Sequence, residues 1–129
     1  MPHSREIIAT AEAPAAVGPY SQAVKFGDLI FTAGQIPLVP ETGQLIEGGI
    51  EAQTQQVLTN LSKVLEAAGS SLGNVVKTTI FVTNIGDFAQ VNKIYGTFFT
   101  NEPPARSTVQ VAALPLGAKI EIEAIAVAS

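Results

Sequence analysis

Cysteine is absent from this 129-residue chain, and the one histidine is His3. Disulfides, thiolate nucleophiles, thiol redox switches and zinc knuckles are therefore excluded, and so is a histidine-rich metal site. Charge is also scarce, at 14% of residues against roughly 25% in an average soluble domain. Seven Lys and Arg stand against eleven Asp and Glu, for a net charge of -4, and only Arg5 and Arg106 are arginines. The basic residues are scattered singly, which argues against a nucleic-acid partner, because phosphate affinity comes from clustered cations that release counterions. An anionic substrate would need a local positive group to hold it. No stretch reaches the roughly 18 to 20 apolar residues of a membrane span, and positions 1–10 are too polar for a secretory signal. A cytoplasmic protein without a membrane partner is the expectation.

What is abundant is apolar residues, 47% of the chain. Residues 1–129 have the length of a single domain able to bury about two-thirds of its unfolded surface. The pattern predicts a strand over Ile7 to Thr10, a second from Tyr20 to Phe26, a hairpin turn at Gly27-Asp28 and a partner strand from Leu29 to Gly34. Ile50 to Ala68 carries an apolar stripe at three- and four-residue spacing and reads as an amphipathic helix ended by Gly69. Val75 to Val82 is β-branched and reads as a strand. Asp87 is the expected N-cap of a second helix, with Gln90 completing a capping box and Pro103-Pro104 stopping it. Strands over Ala105 to Val111 and Lys119 to Ala128 complete the chain.

This order predicts an α+β fold, a single mostly antiparallel sheet with two helices packed on one face. In the last strand one face carries Ile120, Ile122, Ala124, Ala126 and Ala128, while the other runs Glu121, Glu123, Ile125, Val127. A strand that ends apolar on both faces needs cover on both. Two helices cover one; other copies of the chain, in a closed oligomer, are expected to cover the second.

Arg106 follows a rigid Pro-Pro entry at the start of a strand, where its planar fork suits a carboxylate, although a surface arginine in a rim ion pair has the same local pattern. Glu123, mid-strand, is a general acid or base if partly buried and a solvated sheet carboxylate otherwise. Tyr20, after Gly18-Pro19, presents a phenol at a cleft or anchors the first strand. Asn92 reaches a site beside the sheet or caps a packing seam. Gly34 allows close backbone approach or ends a strand. Thr32, Thr78, Thr79 and Thr108 have no histidine base to activate them.

Together these residues resemble one family. Gly18-Pro19-Tyr20-Ser21-Gln22-Ala23, Thr32-Ala33-Gly34-Gln35-Ile36-Pro37, Val76-Lys77-Thr78-Thr79, Val91-Asn92-Lys93-Ile94-Tyr95, Pro104-Ala105-Arg106-Ser107 and Ile120-Glu121-Ile122-Glu123-Ala124 are similar to the signature blocks of the YjgF/RidA enamine/imine deaminases. The resemblance implies a chorismate mutase-like homotrimer whose sheets line a central barrel, with ligand clefts between subunits. It further implies cofactor-free hydrolysis of reactive enamino and imino acids, such as 2-aminoacrylate, to 2-oxo acids and ammonia. Arg106 would then clamp the carboxylate, Glu123 would activate water, and Tyr20, Asn92, Gly34 and Thr108 would shape the site, the last two through main-chain contacts. Many relatives carry Ser at the position of Ala33 and Cys at that of Thr108, so a hydroxyl contact is missing and thiol chemistry is excluded. A non-catalytic 2-oxo acid sensor acting through a protein partner is an alternative, as are the ribonuclease and translation-inhibitor activities of some relatives and a chaperone role of the apolar surface.

Overall fold

The computed structural model describes residues 4–129, so His3 lies outside the described residues. Six strands, β1 (Arg5–Ile8), β2 (Ala23–Phe26), β3 (Leu29–Thr32), β4 (Val75–Val82), β5 (Ala105–Gln110) and β6 (Ile120–Val127), and two helices, α1 (Ile50–Ala67) and α2 (Phe88–Phe98), follow the expected order. The strands form one sheet in the order β1-β2-β3-β6-β4-β5. Every pairing is antiparallel except β4 with β5. That parallel pair needs a crossover, and α2 supplies it.

Local chemistry explains most boundaries. Gly27 takes a φ of 62° in the β2–β3 hairpin, whose two-residue turn needs a left-handed first position. Gly69, with φ 79°, ends α1, and the Ser70 N–H bonds back to the Leu65 carbonyl. β1 lies two residues earlier than expected, and β2 and β3 are shorter, because side chains replace ladder partners. The Gln22 amide receives the Thr10 N–H and donates to the carbonyls of Thr10 and Pro14, so residues 9–22 form a pinned loop between β1 and β2. Thr32 Oγ1 accepts the Ala124 N–H at 3.0 Å, after which Gln35 and Ile122 exchange two backbone bonds, leaving Ala33 and Gly34 outside the ladder.

The capping box expected at α2 does not form. Asp87 has φ -81° and ψ 1°, a turn conformation, where a capping side chain needs an extended one. The cap sits upstream: Asn84 Oδ1 accepts the Gly86 N–H at 2.9 Å at the start of a single 3₁₀ turn.

Both helices lie on one face of the sheet. Val57, Leu58, Leu61, Val64 and Leu65 of α1 are fully buried, as are Ile30, Ile80, Val82, Ile120 and Ile122 of the sheet. Burying each such side chain contributes roughly 1.5–3 kcal/mol. The other face carries Glu121, Glu123 and Ile125, with Leu29, Phe31, Val109 and Val127 exposed beside them. Its apolar half is uncovered in the single chain.

Candidate functional site

Chemistry-bearing side chains gather in two places on opposite faces of the sheet. The first is at the β5 edge, on the helical face. Arg106 pairs in register with Thr78, which pairs with Ala124, and alternation puts all three on that face. The Arg106 guanidinium lies over two rings of α2, with Cζ 4.9 Å from the Tyr95 centroid and 5.4 Å from that of Phe88. Tyr95 is itself held: its hydroxyl is 2.8 Å from Thr78 Oγ1, and its ring centroid is 4.5 Å from that of Phe99. Burial pushes the Tyr95 phenol above its ordinary value, opposed by the Thr78 hydrogen bond and the Arg106 charge. The phenol is a neutral support rather than a base.

The ion pairs among the described residues are Lys63 with Glu66 and Lys93 with Glu51. Arg106 belongs to neither, so the rim-ion-pair reading of this arginine does not hold. Asn92 shares the α2 face of Phe88 and Tyr95 by helical spacing, and Thr108 shares the β5 face of Arg106. Among the described residues, the buried side-chain oxygens without a hydrogen-bond partner are Asn92 Oδ1 and Thr108 Oγ1. Leaving a buried polar atom unpaired costs about 1–3 kcal/mol, so two of them on the faces that carry the stacked arginine make this a candidate site for a polar ligand.

The second place is a cavity of about 510 Å³, lined by Tyr20, Gly34 and Glu121 together with Val17, Ile36 and Leu116. The Tyr20 hydroxyl accepts the Val17 N–H at 3.4 Å, and the Tyr20 N–H donates to the Gly18 carbonyl at 2.8 Å, which holds the loop tip against the cavity. Gly34 is a point of close approach: a Cβ there would run into the Glu121 carboxylate, which would have to swing away. Burial raises the Glu121 carboxyl above its ordinary value of 4.5, and the like charge of Glu123 raises it further. A carboxyl poised to hold or release a proton thus faces the cavity.

Of the residues singled out from sequence, Arg106, Asn92 and Thr108 come together in the first place and Tyr20 and Gly34 in the second. Glu123 is exposed on the uncovered face and does not line the cavity. Glu121, two residues earlier on the same face, does. Sequence alternation puts both carboxylates on one side of β6; which of them meets Gly34 depends on how the 33–36 segment registers against β6.

Gly34→Ala is expected to displace the Glu121 carboxylate without unfolding the chain. A shifted acid limb in any pH-dependent activity, with an unchanged melting temperature, would show it; an unchanged limb would mean that the contact does not position Glu121.

Residues 10–128 match the family model described as Endoribonuclease L-PSP. The chain belongs to this family. Members include the mouse 2-iminobutanoate/2-iminopropanoate deaminase, 51% identical over 95% of this chain and 91% of that protein. Protein DfrA of Myxococcus xanthus is 52% identical over 96% of both chains. The crystal structure of E. coli TdcF with bound serine superposes with a TM-score of 0.91 at 46% identity, covering 96% of this chain and 99% of that one. These are the YjgF/RidA proteins that the sequence blocks resemble, and the two helices on a six-stranded mixed sheet are the fold of their solved members. No helix among the described residues is long and apolar enough to cross a membrane.

Proposed function

We propose that this chain hydrolyses small 2-imino acids, and the 2-enamino acids that tautomerise to them, to 2-oxo acids and ammonia. The site is assembled between copies of the chain in a homotrimer. One copy supplies Arg106, Asn92 and Thr108, and the next supplies Tyr20, Gly34 and Glu121. The observation that carries the reading is that Arg106 and Glu121, the fork that fits a carboxylate and the carboxyl with a raised pKa, lie on opposite faces of one packed sheet. A single small molecule cannot touch both within one chain. The uncovered apolar half of the Glu121 face is the surface on which another copy would dock, and a repeated head-to-tail contact closes into a ring.

The chemistry suits a chain without cysteine and, among the described residues, without histidine. A protonated imine carbon is already electrophilic, so positioning supplies most of the acceleration. Arg106 binds the substrate carboxylate through two parallel hydrogen bonds. The orphaned oxygens of Asn92 and Thr108 accept from the imine nitrogen, which favours its protonated form. Glu121 as carboxylate accepts a proton from water as the oxygen attacks the imine carbon, giving a carbinolamine. As carboxylic acid it returns that proton to the nitrogen; the C–N bond then breaks as the hydroxyl proton passes by way of the Glu121 carboxylate to the departing ammonia, leaving the carbonyl and ammonium. Water is consumed and one 2-oxo acid and one ammonia are produced. The names of the mouse deaminase and of serine-bound TdcF support a small carboxylate ligand of this class. A ribonuclease reading finds less support, because seven scattered cations on a chain of net charge -4 form no track for a phosphate backbone.

The deciding experiment generates 2-aminoacrylate in situ with a serine dehydratase and follows pyruvate with and without the protein. Acceleration over spontaneous hydrolysis is expected, and its absence would end the enzymatic reading. The shared site has a separate test, in which Arg106→Ala and Glu121→Gln chains, each inactive alone, are co-expressed. Each site draws one group from each of two copies, so random mixing restores about a quarter of wild-type activity. No restoration, or a monomer mass by light scattering, would put the site within one chain.

A further inference from the structure

Leu116 contradicts two local preferences at once. It sits at φ 58° and ψ 20° in the turn between β5 and β6, a left-handed conformation that its Cβ disfavours, and Gly117 beside it is also left-handed, at φ 75°. The residue is 67% exposed and is not part of the buried core that would offset the strain. A strained non-glycine residue held at a cleft is an outlier that points to use. Leu116 lines the Glu121 cavity, and so does Val17, itself 83% exposed.

Size matters here. A three-carbon imino acid has about six heavy atoms, roughly 180 Å³ at the volume of one water each. The cavity of the single chain is about 510 Å³, and its lining includes Val17, Ile36, Leu38, Pro115 and Leu116 as well as Glu121. The Arg106, Asn92 and Thr108 of another copy take part of this volume, and the apolar residues of the lining offer contact to an aliphatic substrate side chain.

We infer that Leu116 is a specificity-determining residue, forming with Val17 an apolar lip that contacts the substrate side chain and favours imino acids with branched aliphatic side chains over three-carbon ones. The inference rests on the imine-hydrolysis reading above. The lip leaves the reaction unchanged: water adds to the imine carbon, and ammonia departs, whichever side chain is present. Its contribution is differential contact, where each additional buried methylene is worth about tenfold or more in kcat/KM.

The test uses imines produced in situ by a broad-specificity amino acid oxidase from alanine and from leucine, with semicarbazide as the competing trap. Wild-type protein is expected to suppress semicarbazone formation from the leucine imine at least about tenfold more efficiently than from the alanine imine. Leu116→Asn keeps a residue tolerated in the left-handed region. It is expected to lower the leucine-to-alanine ratio of kcat/KM about tenfold and to leave the melting temperature unchanged or raised. Leu116→Met should keep the leucine preference. An unchanged leucine-to-alanine ratio in Leu116→Asn, or an equal fall for both substrates with an altered oligomer mass, would overturn the role of the lip while leaving hydrolysis intact. Failure of the wild-type protein to act on either imine would overturn the hydrolysis reading itself, and the inference with it.

Discussion

Arg106→Ala is expected to lower kcat/KM for imine hydrolysis by about 10²–10³-fold while the chain stays folded. Two charge-assisted hydrogen bonds to a substrate carboxylate are lost, each worth about 1.5–2 kcal/mol in a partly buried site, and each 1.36 kcal/mol is a factor of ten. The cost to folding is small, because the side chain makes no ion pair among the described residues and contributes only its stacking on Tyr95 and Phe88, about 0.5–1 kcal/mol. Arg106→Lys should recover little, since an ammonium lacks both the planar fork and the ability to lie flat between the two rings. The in-situ pyruvate assay, paired with circular dichroism, checks both halves. Unchanged turnover in folded Arg106→Ala would place the clamp elsewhere.

Glu121→Gln is expected to reduce kcat by about 10²–10⁴-fold, the usual contribution of a positioned general acid or base. Glu123→Gln should keep nearly full activity and move the acid limb of the pH profile down, because it removes the like charge that helps raise the Glu121 carboxyl. The same shift has a stability consequence of definite sign. The folded chain holds the Glu121 proton more tightly than the unfolded chain does. This contribution is therefore fully favourable below the ordinary value of 4.5 and is lost as pH rises through the folded value. At about pH 7 the ionised carboxylate is a burden, so Glu121→Gln should raise the melting temperature there and give no gain at or below about pH 4. A protein both less active and more stable is the expected signature of a site carboxylate. A loss of activity in Glu123→Gln with none in Glu121→Gln would return the role to Glu123.

The outcome at these two glutamates shows where sequence reading works and where it stops. Alternation along β6 is a local property of an extended backbone, so Ile120, Ile122, Ala124 and Ala126 could be assigned to one face and Glu121, Glu123, Ile125 and Val127 to the other without any structure. The helical stripe of α1 and the β-branched run of β4 are local in the same sense, and those elements begin where their patterns predict. Errors fall where a distant side chain intervenes. Gln22 takes the backbone groups of Thr10 out of a ladder, and Thr32 takes the Ala124 N–H. Such exchanges depend on partners that the local pattern does not contain.

By itself, then, the sequence determined what this protein has to work with: no thiol, one terminal histidine, two arginines, and a final strand apolar on both sides. Those facts narrow the chemistry to a reactive substrate and require a cover for the second sheet face, because composition and side-chain alternation belong to the chain before it folds. Only the tertiary structure decided which carboxylate meets Gly34, and that Arg106 stacks on α2 across the sheet from it. Both follow from the order in which β6 inserts between β3 and β4 and from the register of the 33–36 segment. These are non-local pairings whose geometry comes into existence only when distant parts of the chain meet.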